Sequence, residues 1–349
     1  MEFLIILISF FFSMVCRANL EFQSIKASDG VEIQTCARFP EAAKFPGKRP
    51  ALFFIQGSGL YDTCLRLERT WGDGIVGRGV EIFGRQKRGI TVNPLTRVVN
   101  IDKTLFGQND LISLKLDSIA AFEALQNDSR INSNRITVAG GSEGAWMATA
   151  IALKHPEVFE VSLISSPIER FDTLFERQLS ELAPTEVIDS LDKDHSGALT
   201  PEELPNSLLA GNGLLPFSEI DSNHDSRIDK SELGMEFHRA VDHALVTNDD
   251  TFLMSDFGGG ISVAWLKTAF QIEPLGPEIL KLNMPVTLHH GKADTNALVE
   301  AVYKLELEAK TLQKTKIDFV YYDGLTHELN KDVLYKILFD LADRLNGPN

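Results

Sequence analysis

Positive charge is what this 349-residue sequence lacks most: 34 Lys and Arg stand against 49 Asp and Glu, for a formal net charge of −15. Phosphate backbones are bound by basic surfaces, so this balance excludes a nucleic-acid-binding role and suits a cationic ligand. Cysteine is scarce as well, with three residues at Cys16, Cys36 and Cys64. No low-complexity tract interrupts the chain, and no apolar run reaches the roughly 20 residues that a membrane-spanning helix needs. The nearest approach is Phe3 to Val15, which has the length of a signal-peptide apolar region. Cys16 and Ala18 place small residues around a cleavage point after Ala18. Residues 1–18 are therefore expected to be a signal peptide. The protein is then secreted or periplasmic, and no stable membrane span remains after cleavage. Glu2, with no Lys or Arg ahead of the apolar run, departs from the usual pattern. A short N-terminal anchor, or lipid attachment at Cys16, is the alternative. Cleavage leaves Cys36 and Cys64, which either pair in an oxidising compartment or stand as unpaired core residues.

What is present is enough apolar sequence, 44% of the chain, for a large core. Its pattern alternates strand and helix. LEFQSIKASDG and VEIQTCARFP read as two strands around a turn, and PALFFIQGSG as a buried strand running into glycines. GVEIFGRQKRG is a further strand, and DLISLKLDSIAAFEALQND has apolar residues at helical spacing. RITVAGGSEG is strand and turn, AWMATAIALKHP a helix, and VFEVSLISSP the next strand. After a break between about 168 and 280, the alternation resumes. MPVTLHHGKAD is followed by the helix TNALVEAVYKLELEAKTL, the strand KIDFVYYDG and a last helix from about Lys331 to Leu345. Short apolar strands alternating with amphipathic helices predict an α/β fold, with a mostly parallel sheet covered on both faces.

Ser142 lies in Gly140-Gly141-Ser142-Glu143-Gly144, between a predicted strand and a predicted helix. A G-x-S-x-G match alone is weak, because it also fits an ordinary strand-to-helix turn. In this context the sharp turn lifts the hydroxyl above the sheet edge, and the small flanking residues allow the backbone to crowd there. The Glu143 N–H then sits at a helix N-terminus, where a developing oxyanion is stabilised. A serine hydroxyl needs a histidine to take its proton and a carboxylate to hold that histidine. Asp294 follows one predicted strand and His327 the next, giving the order Ser142, Asp294, His327. Among the other histidines, His155 beside Pro156 reads as a surface residue. His289 and His290 lie within a strand, one of them facing the core. The second oxyanion donor is expected in Gln56-Gly57-Ser58-Gly59, as the N–H of Ser58, with Gly57 or Gly59 as alternatives.

With these residues the chain resembles the α/β-hydrolase superfamily, in its serine esterase- and peptidase-like branch. The resemblance covers roughly 20–167 and 280–345. It rests on Gly140–Gly144, on GKAD with Asp294, on LTHE with His327, on the basic turn GRQKRG and on the oxyanion-loop sequence IQGSG. Many members carry His-Gly at that loop, where this chain has Gln56. The resemblance implies a core of residues 19–167 and 280–349, an inserted cap over 168–279, and cleavage of an ester, thioester or amide through an acyl-enzyme.

The acidic insertion carries a second pattern. DKDHSGALTPEE, residues 192–203, sets Asp192, Asp194, Ser196, Ala198 (by its carbonyl), Thr200 and Glu203 at the ligand positions of an EF-hand calcium loop. Gly197 stands at the sharp turn. DSNHDSRIDKSE, residues 221–232, does the same with Asp221, Asn223, Asp225, the Arg227 carbonyl, Asp229 and Glu232. Ser226 replaces the usual glycine at a position that needs positive φ, at a cost of roughly 1 kcal/mol. Leu199 and Ile228 take the inward position. The segment 184–240 thus resembles an EF-hand pair, which implies two Ca²⁺ ions in a helical cap, as structural staples or as a switch. The expectation is a secreted serine hydrolase, esterase first and then peptidase, thioesterase or acyltransferase, acting on a small-molecule or peptide acyl substrate. The alternative is a calcium-dependent binding protein on an inactive hydrolase scaffold.

Overall fold

The computed structural model describes residues 20–347. The expected signal segment, 1–18, lies outside the described residues. Ten strands form in chain order: β1 Leu20–Lys26, β2 Glu32–Arg38, β3 Arg49–Ile55, β4 Glu81–Arg85, β5 Ile90–Val92, β6 Val99–Ile101, β7 Ile131–Gly141, β8 Glu160–Ile164, β9 Val286–Gly291 and β10 Ile317–Tyr322. Eight of them make one sheet in the order β1-β2-β4-β3-β7-β8-β9-β10, and β5 and β6 form a separate hairpin. β2 pairs antiparallel with both β1 and β4, and every pairing from β4 to β10 is parallel. This is the sheet of an α/β-hydrolase fold.

Parallel strands need crossovers, and the crossovers cover both faces. On one face Ala51, Phe53, Ile136 and Val138 pack with Leu114, Phe122, Met147 and Ile151 from the helices Leu111–Gln126 and Gly144–Lys154. On the other, Leu52, Ile82, Ala139 and Ile164 meet Leu338, Leu341 and Leu345 of the last helix, Lys331–Asn346. Strands buried on both faces read as nearly continuous apolar runs, which is how β3, β7 and β8 stand in the sequence. Because they are parallel, the C-terminal ends of β3, β7, β8, β9 and β10 share one edge. Residues 56–59, Ser142, Ser165, Asp294 and His327 all follow those ends.

Between β8 and β9 the chain is helical. Phe171–Arg177 runs into a π turn, Gln178–Leu182, and on into Ala183–Leu191; later come Lys230–Thr247 and Val263–Ala269. The insertion shares the main core: Leu199, Ile228 and Phe237 belong to the same buried cluster as Val138 and Met147. An aromatic group fastens it to the nucleophile helix. Phe171 lies 5.1 Å from Trp265 and 6.5 Å from Trp146, between ring centroids. Cys36 on β2 and Cys64 on the helix Thr63–Arg69 form a disulfide, with Cα atoms 5.7 Å apart. The structure thereby chooses between the two readings of that pair. The helices Thr63–Arg69 and Gly72–Val76 and the β5–β6 hairpin have no counterpart in the sequence expectation.

Candidate active site and acidic loop pair

β7 ends at Gly141, and the next residue turns sharply. Ser142 has φ +49°, in the left-handed region, and its N–H donates to the Ile164 carbonyl at 2.9 Å. A non-glycine residue held there costs about 1–3 kcal/mol and marks a constrained site. Gly144 is required by contact rather than by φ, since a Cβ there would lie 2.2 Å from the Ile55 carbonyl oxygen. The close approach of β3 to the nucleophile helix thus permits only glycine.

His327 follows β10 and meets both partners. Its Nε2 lies 3.1 Å from Ser142 Oγ, and its Nδ1 lies 2.9 Å from Asp294 Oδ2. The carboxylate fixes the tautomer: Nδ1–H donates to Asp294, so Nε2 is free to accept the serine proton. Ser165 Oγ, just past β8, donates to the His327 carbonyl at 2.6 Å and holds the histidine turn.

Asp294 is buried and fully engaged. Oδ1 accepts the N–H groups of Asn296 and Ala297 at 2.9 and 2.8 Å, while Oδ2 faces His327 and the buried His290, whose Nε2 lies 3.2 Å away and 2.7 Å from the Ala297 carbonyl. Burial alone would raise this carboxyl. Hydrogen bonds from His290 and His327, the His327 charge and the Ala297 N–H outweigh it and hold the group well below the usual carboxylate range. Asp294 therefore stays ionised wherever the histidine works. His289, the neighbour on β9, is buried too, and burial pushes its imidazole down to about 4. Both strand histidines are thus inside, where one was expected. His155 is also mostly buried, its ring tilted against Phe122 at 4.8 Å between centroids and paired with Glu157, rather than on the surface.

The loop after β3 lies against the nucleophile: a Cβ on Gly57 would stand 3.0 Å from Ser142 Cβ and 3.6 Å from its Oγ. Gln56 supports this loop by donating from Nε2 to the Tyr61 carbonyl at 2.7 Å. Ser58 follows directly, and Glu143 begins the helix Gly144–Lys154. The two expected oxyanion donors therefore belong to segments packed against the same serine. The Glu143 side chain points into the protein. Its Oε1 pairs with the buried Lys87 Nζ at 3.0 Å, and its Oε2 accepts Trp265 Nε1–H at 2.5 Å. Burial lowers the Lys87 ammonium, and the Glu143 charge partly restores it. Lys87, Trp265, Ser165 and His290 were not legible as site residues. Only GRQKRG, read as a basic turn, pointed towards Lys87.

The two acidic loops share one internal pattern. In the first, Asp192 accepts the N–H groups of Ser196 and Gly197 at 3.2 and 2.8 Å; in the second, Asp221 accepts those of Asp225 and Ser226 at 3.1 and 3.0 Å. Glu203 accepts from Lys193 and Thr200 N–H, and Glu232 from Ser222 and Asp229 N–H. His195 and His224 have φ +56° and +59°, and Gly197 and Ser226 have +83° and +66°. Leu199 and Ile228 are fully buried and exchange backbone hydrogen bonds of 2.9 and 2.8 Å as an antiparallel bridge. Carboxylate oxygens of Asp192, Asp194 and Glu203 lie within 4.8 Å of one another. Arg227 donates to Ser196 Oγ at 2.5 Å and lies 3.7 Å from Asp194, so the second loop brings a cation to the first. Ser196 Oγ donates to the Ala198 carbonyl, and Asp229 caps the helix Lys230–Thr247. Asn223 Oδ1 accepts from Asp225 N–H, and Thr200 Oγ1 bonds Glu203. An all-oxygen donor set of this kind fits a hard divalent cation.

Residues 109–200, from the helix before β7 to the first acidic loop, match the prolyl oligopeptidase family. No curated protein matches the chain in sequence. Solved structures share its fold. A Bacteroides ovatus protein assigned as a dipeptidyl aminopeptidase IV aligns over 93% of this chain and 36% of its own, at 15% identity and TM-score 0.56. The α/β hydrolase GrgF from Penicillium sp. sh18 aligns over 93% and 98%, at 15% and 0.55. Est1E from Butyrivibrio proteoclasticus, with ferulic acid bound, aligns over 91% and 96%, at 14% and 0.53. The chain spans about a third of the first of these. The triad has the geometry that serine hydrolases use, and the family match covers its nucleophile segment.

Proposed function

We propose that this chain is a calcium-binding serine hydrolase that cleaves an ester, thioester or amide bond, an ester first, through an acyl-enzyme on Ser142. The observation that carries the reading is the unbroken relay from Ser142 Oγ to His327 Nε2 at 3.1 Å and from His327 Nδ1 to Asp294 at 2.9 Å. In the first half-reaction Ser142 Oγ attacks the acyl carbon as its proton passes to His327 Nε2. The N–H groups of Ser58 and Glu143 take the developing oxyanion. The imidazolium, steadied by the ionised Asp294, then protonates the leaving group. Water repeats the sequence on the acyl-enzyme, with His327 again as base and then acid, and frees the carboxylic acid.

The acidic loops support calcium as the bound ion. A hard cation there would be held by Asp192, Asp194, Ser196, the Ala198 carbonyl, Thr200 and Glu203, and by Asp221, Asn223, Asp225, the Arg227 carbonyl, Asp229 and Glu232. Its charge would offset the repulsion among the clustered carboxylates and hold the helical cap together, which makes it a staple rather than a switch. The Cys36–Cys64 disulfide supports a secreted or periplasmic location, since such bridges persist where thiols are not kept reduced.

The test is hydrolysis of short- and long-chain p-nitrophenyl esters by wild type and Ser142→Ala, in millimolar Ca²⁺ and in EGTA. Turnover lost in the variant, with acyl length ranked by the wild type, is the expected result. Equal turnover in both proteins would overturn the assignment of the nucleophile.

A further inference from the structure

The helical rod that ends at the first acidic loop also grips the catalytic acid. Its three pieces, Phe171–Arg177, the π turn Gln178–Leu182 and Ala183–Leu191, run end to end, and Asp192 follows. At the junction into the π turn, Arg177 Nε donates to the Thr295 carbonyl at 3.2 Å and Nη2 to the Asn296 carbonyl at 3.0 Å. Glu169 holds the same guanidinium through two bonds, of 2.6 and 3.0 Å, and also accepts the Leu298 N–H at 3.4 Å. The next residue, Gln178, donates to Asn296 Oδ1. Arg177 and Glu169 are both largely buried.

The gripped turn, 295–298, sets the carboxylate. The N–H groups of Asn296 and Ala297 hold Asp294 Oδ1, and this leaves Oδ2 facing His327 and His290. The rotation of the carboxyl group therefore depends on where the turn sits, and the turn is fixed by Arg177. On its far side the π turn backs onto the helix that leaves the second acidic loop. Gly234 lies against the Ser180 carbonyl, and His238 Nε2 is 3.1 Å from Glu176. π turns within helices are frequent at functional sites.

We propose that Arg177, braced by Glu169, is a positioning residue for Asp294: it fixes the 295–298 turn and through it the orientation of the triad carboxylate. The inference rests on the reading of Asp294 as the acid of the triad. Arginine suits the task because its planar fork makes four bonds at fixed angles, two to one carboxylate and one to each of two carbonyls, whereas an ammonium has three N–H groups. Small displacements in a triad are costly, with about 100-fold lost for 1 Å.

The test compares Arg177→Met, Arg177→Lys and Gln178→Leu with wild type and Ser142→Ala in the full chain. It measures kcat and KM on a p-nitrophenyl ester, the pH profile of kcat/KM and the melting temperature. The charged groups around Asp294 are His290, His327 and Arg177, with Glu169 beyond. Removing the Arg177 charge favours the imidazolium, so the acidic limb of the profile moves to higher pH. Arg177→Met is expected to lose about 10- to 100-fold in kcat, with KM within about twofold. Arg177→Lys returns the limb to its wild-type position and recovers only part of kcat. Gln178→Leu loses about threefold in kcat, and it answers the question if Arg177→Met does not fold. Wild-type kcat and limb in Arg177→Met or, where that variant does not fold, wild-type kcat in Gln178→Leu overturn the inference. So does activity that falls only in step with melting temperature while the limb stays in place. Full turnover by Ser142→Ala overturns the triad reading instead; a dead Ser142→Ala beside a wild-type Arg177→Met overturns this inference alone.

Discussion

Three serines among the described residues have left-handed backbones, Ser142 at φ +49°, Ser165 at φ +48° and Ser226 at φ +66°, and the surroundings of Ser142 and Ser226 differ in almost everything else. Ser142 stands where the buried charges of Asp294 and Glu143 are matched. Asp294 has three hydrogen-bond donors with His290 beside it, Glu143 has Lys87 and Trp265, and Arg88 holds the buried Asp117 through two bonds of 2.7 and 2.8 Å. Ser226 stands among carboxylates that backbone N–H groups hold, with Asp225 and Asp229 exposed, Asp221 and Glu232 buried, and Arg227 reaching across to the other loop. In the first region the protein supplies the countercharge and the geometry is complete. In the second, negative charge is gathered in excess. Strain at Ser142 presents a nucleophile; strain at Ser226 only closes a loop.

The largest expected effects break the first region. Ser142→Ala should lower kcat/KM by at least about 10³-fold, and Asp294→Asn by about 10⁴-fold, the latter because the histidine tautomer is lost. Ester turnover at unchanged melting temperature checks both. Lys87→Met comes next. It leaves Glu143 buried without its cation and should cost about 3–5 kcal/mol in denaturant unfolding. A second change, Glu143→Gln, should return much of that loss, because the isolated charge rather than the missing bond is the problem. Equal stability of Lys87→Met and wild type would dissolve the contrast between the two regions.

The acidic loops should respond more gently. Going from 1 mM Ca²⁺ to excess EGTA should remove about 0.4–1.4 kcal/mol per site, given dissociation constants of roughly 10⁻⁴–10⁻³ M. Melting temperature should fall by several degrees, and Glu203→Gln with Glu232→Gln should abolish the difference. A melting temperature indifferent to chelator would remove calcium from the account. The smallest effect is Ser226→Gly, which relieves the positive φ and should stabilise by about 1 kcal/mol. Ser142→Gly would relieve the same kind of strain at the cost of all activity, and that pair states the contrast most sharply.

Much of this was legible in the sequence because the signals were local or ordered along the chain. Small residues around Ser142 are imposed by the approach of β3, strand ends place Asp294 and His327, and the two loops repeat the same residue types at the same spacing. What stayed hidden depends on contacts far apart in sequence. Trp265 reaches Glu143 across 122 residues, and Arg177 reaches Asn296 across 119. Neither belongs to a motif. His290 looked like half of a core pair, because periodicity along a strand says which face a residue takes but not which carboxylate waits there. The disulfide was open for the same reason: two cysteines 28 residues apart have no geometry until β2 and the helix Thr63–Arg69 are packed.

The central claim is that Ser142 is an activated nucleophile, and covalent labelling tests it most directly. The folded wild-type protein should react with a fluorophosphonate, with the adduct mapping by peptide mass to Ser142 and His327→Ala suppressing it. Folded protein that refuses the probe, or that carries the adduct on another serine, would contradict the account.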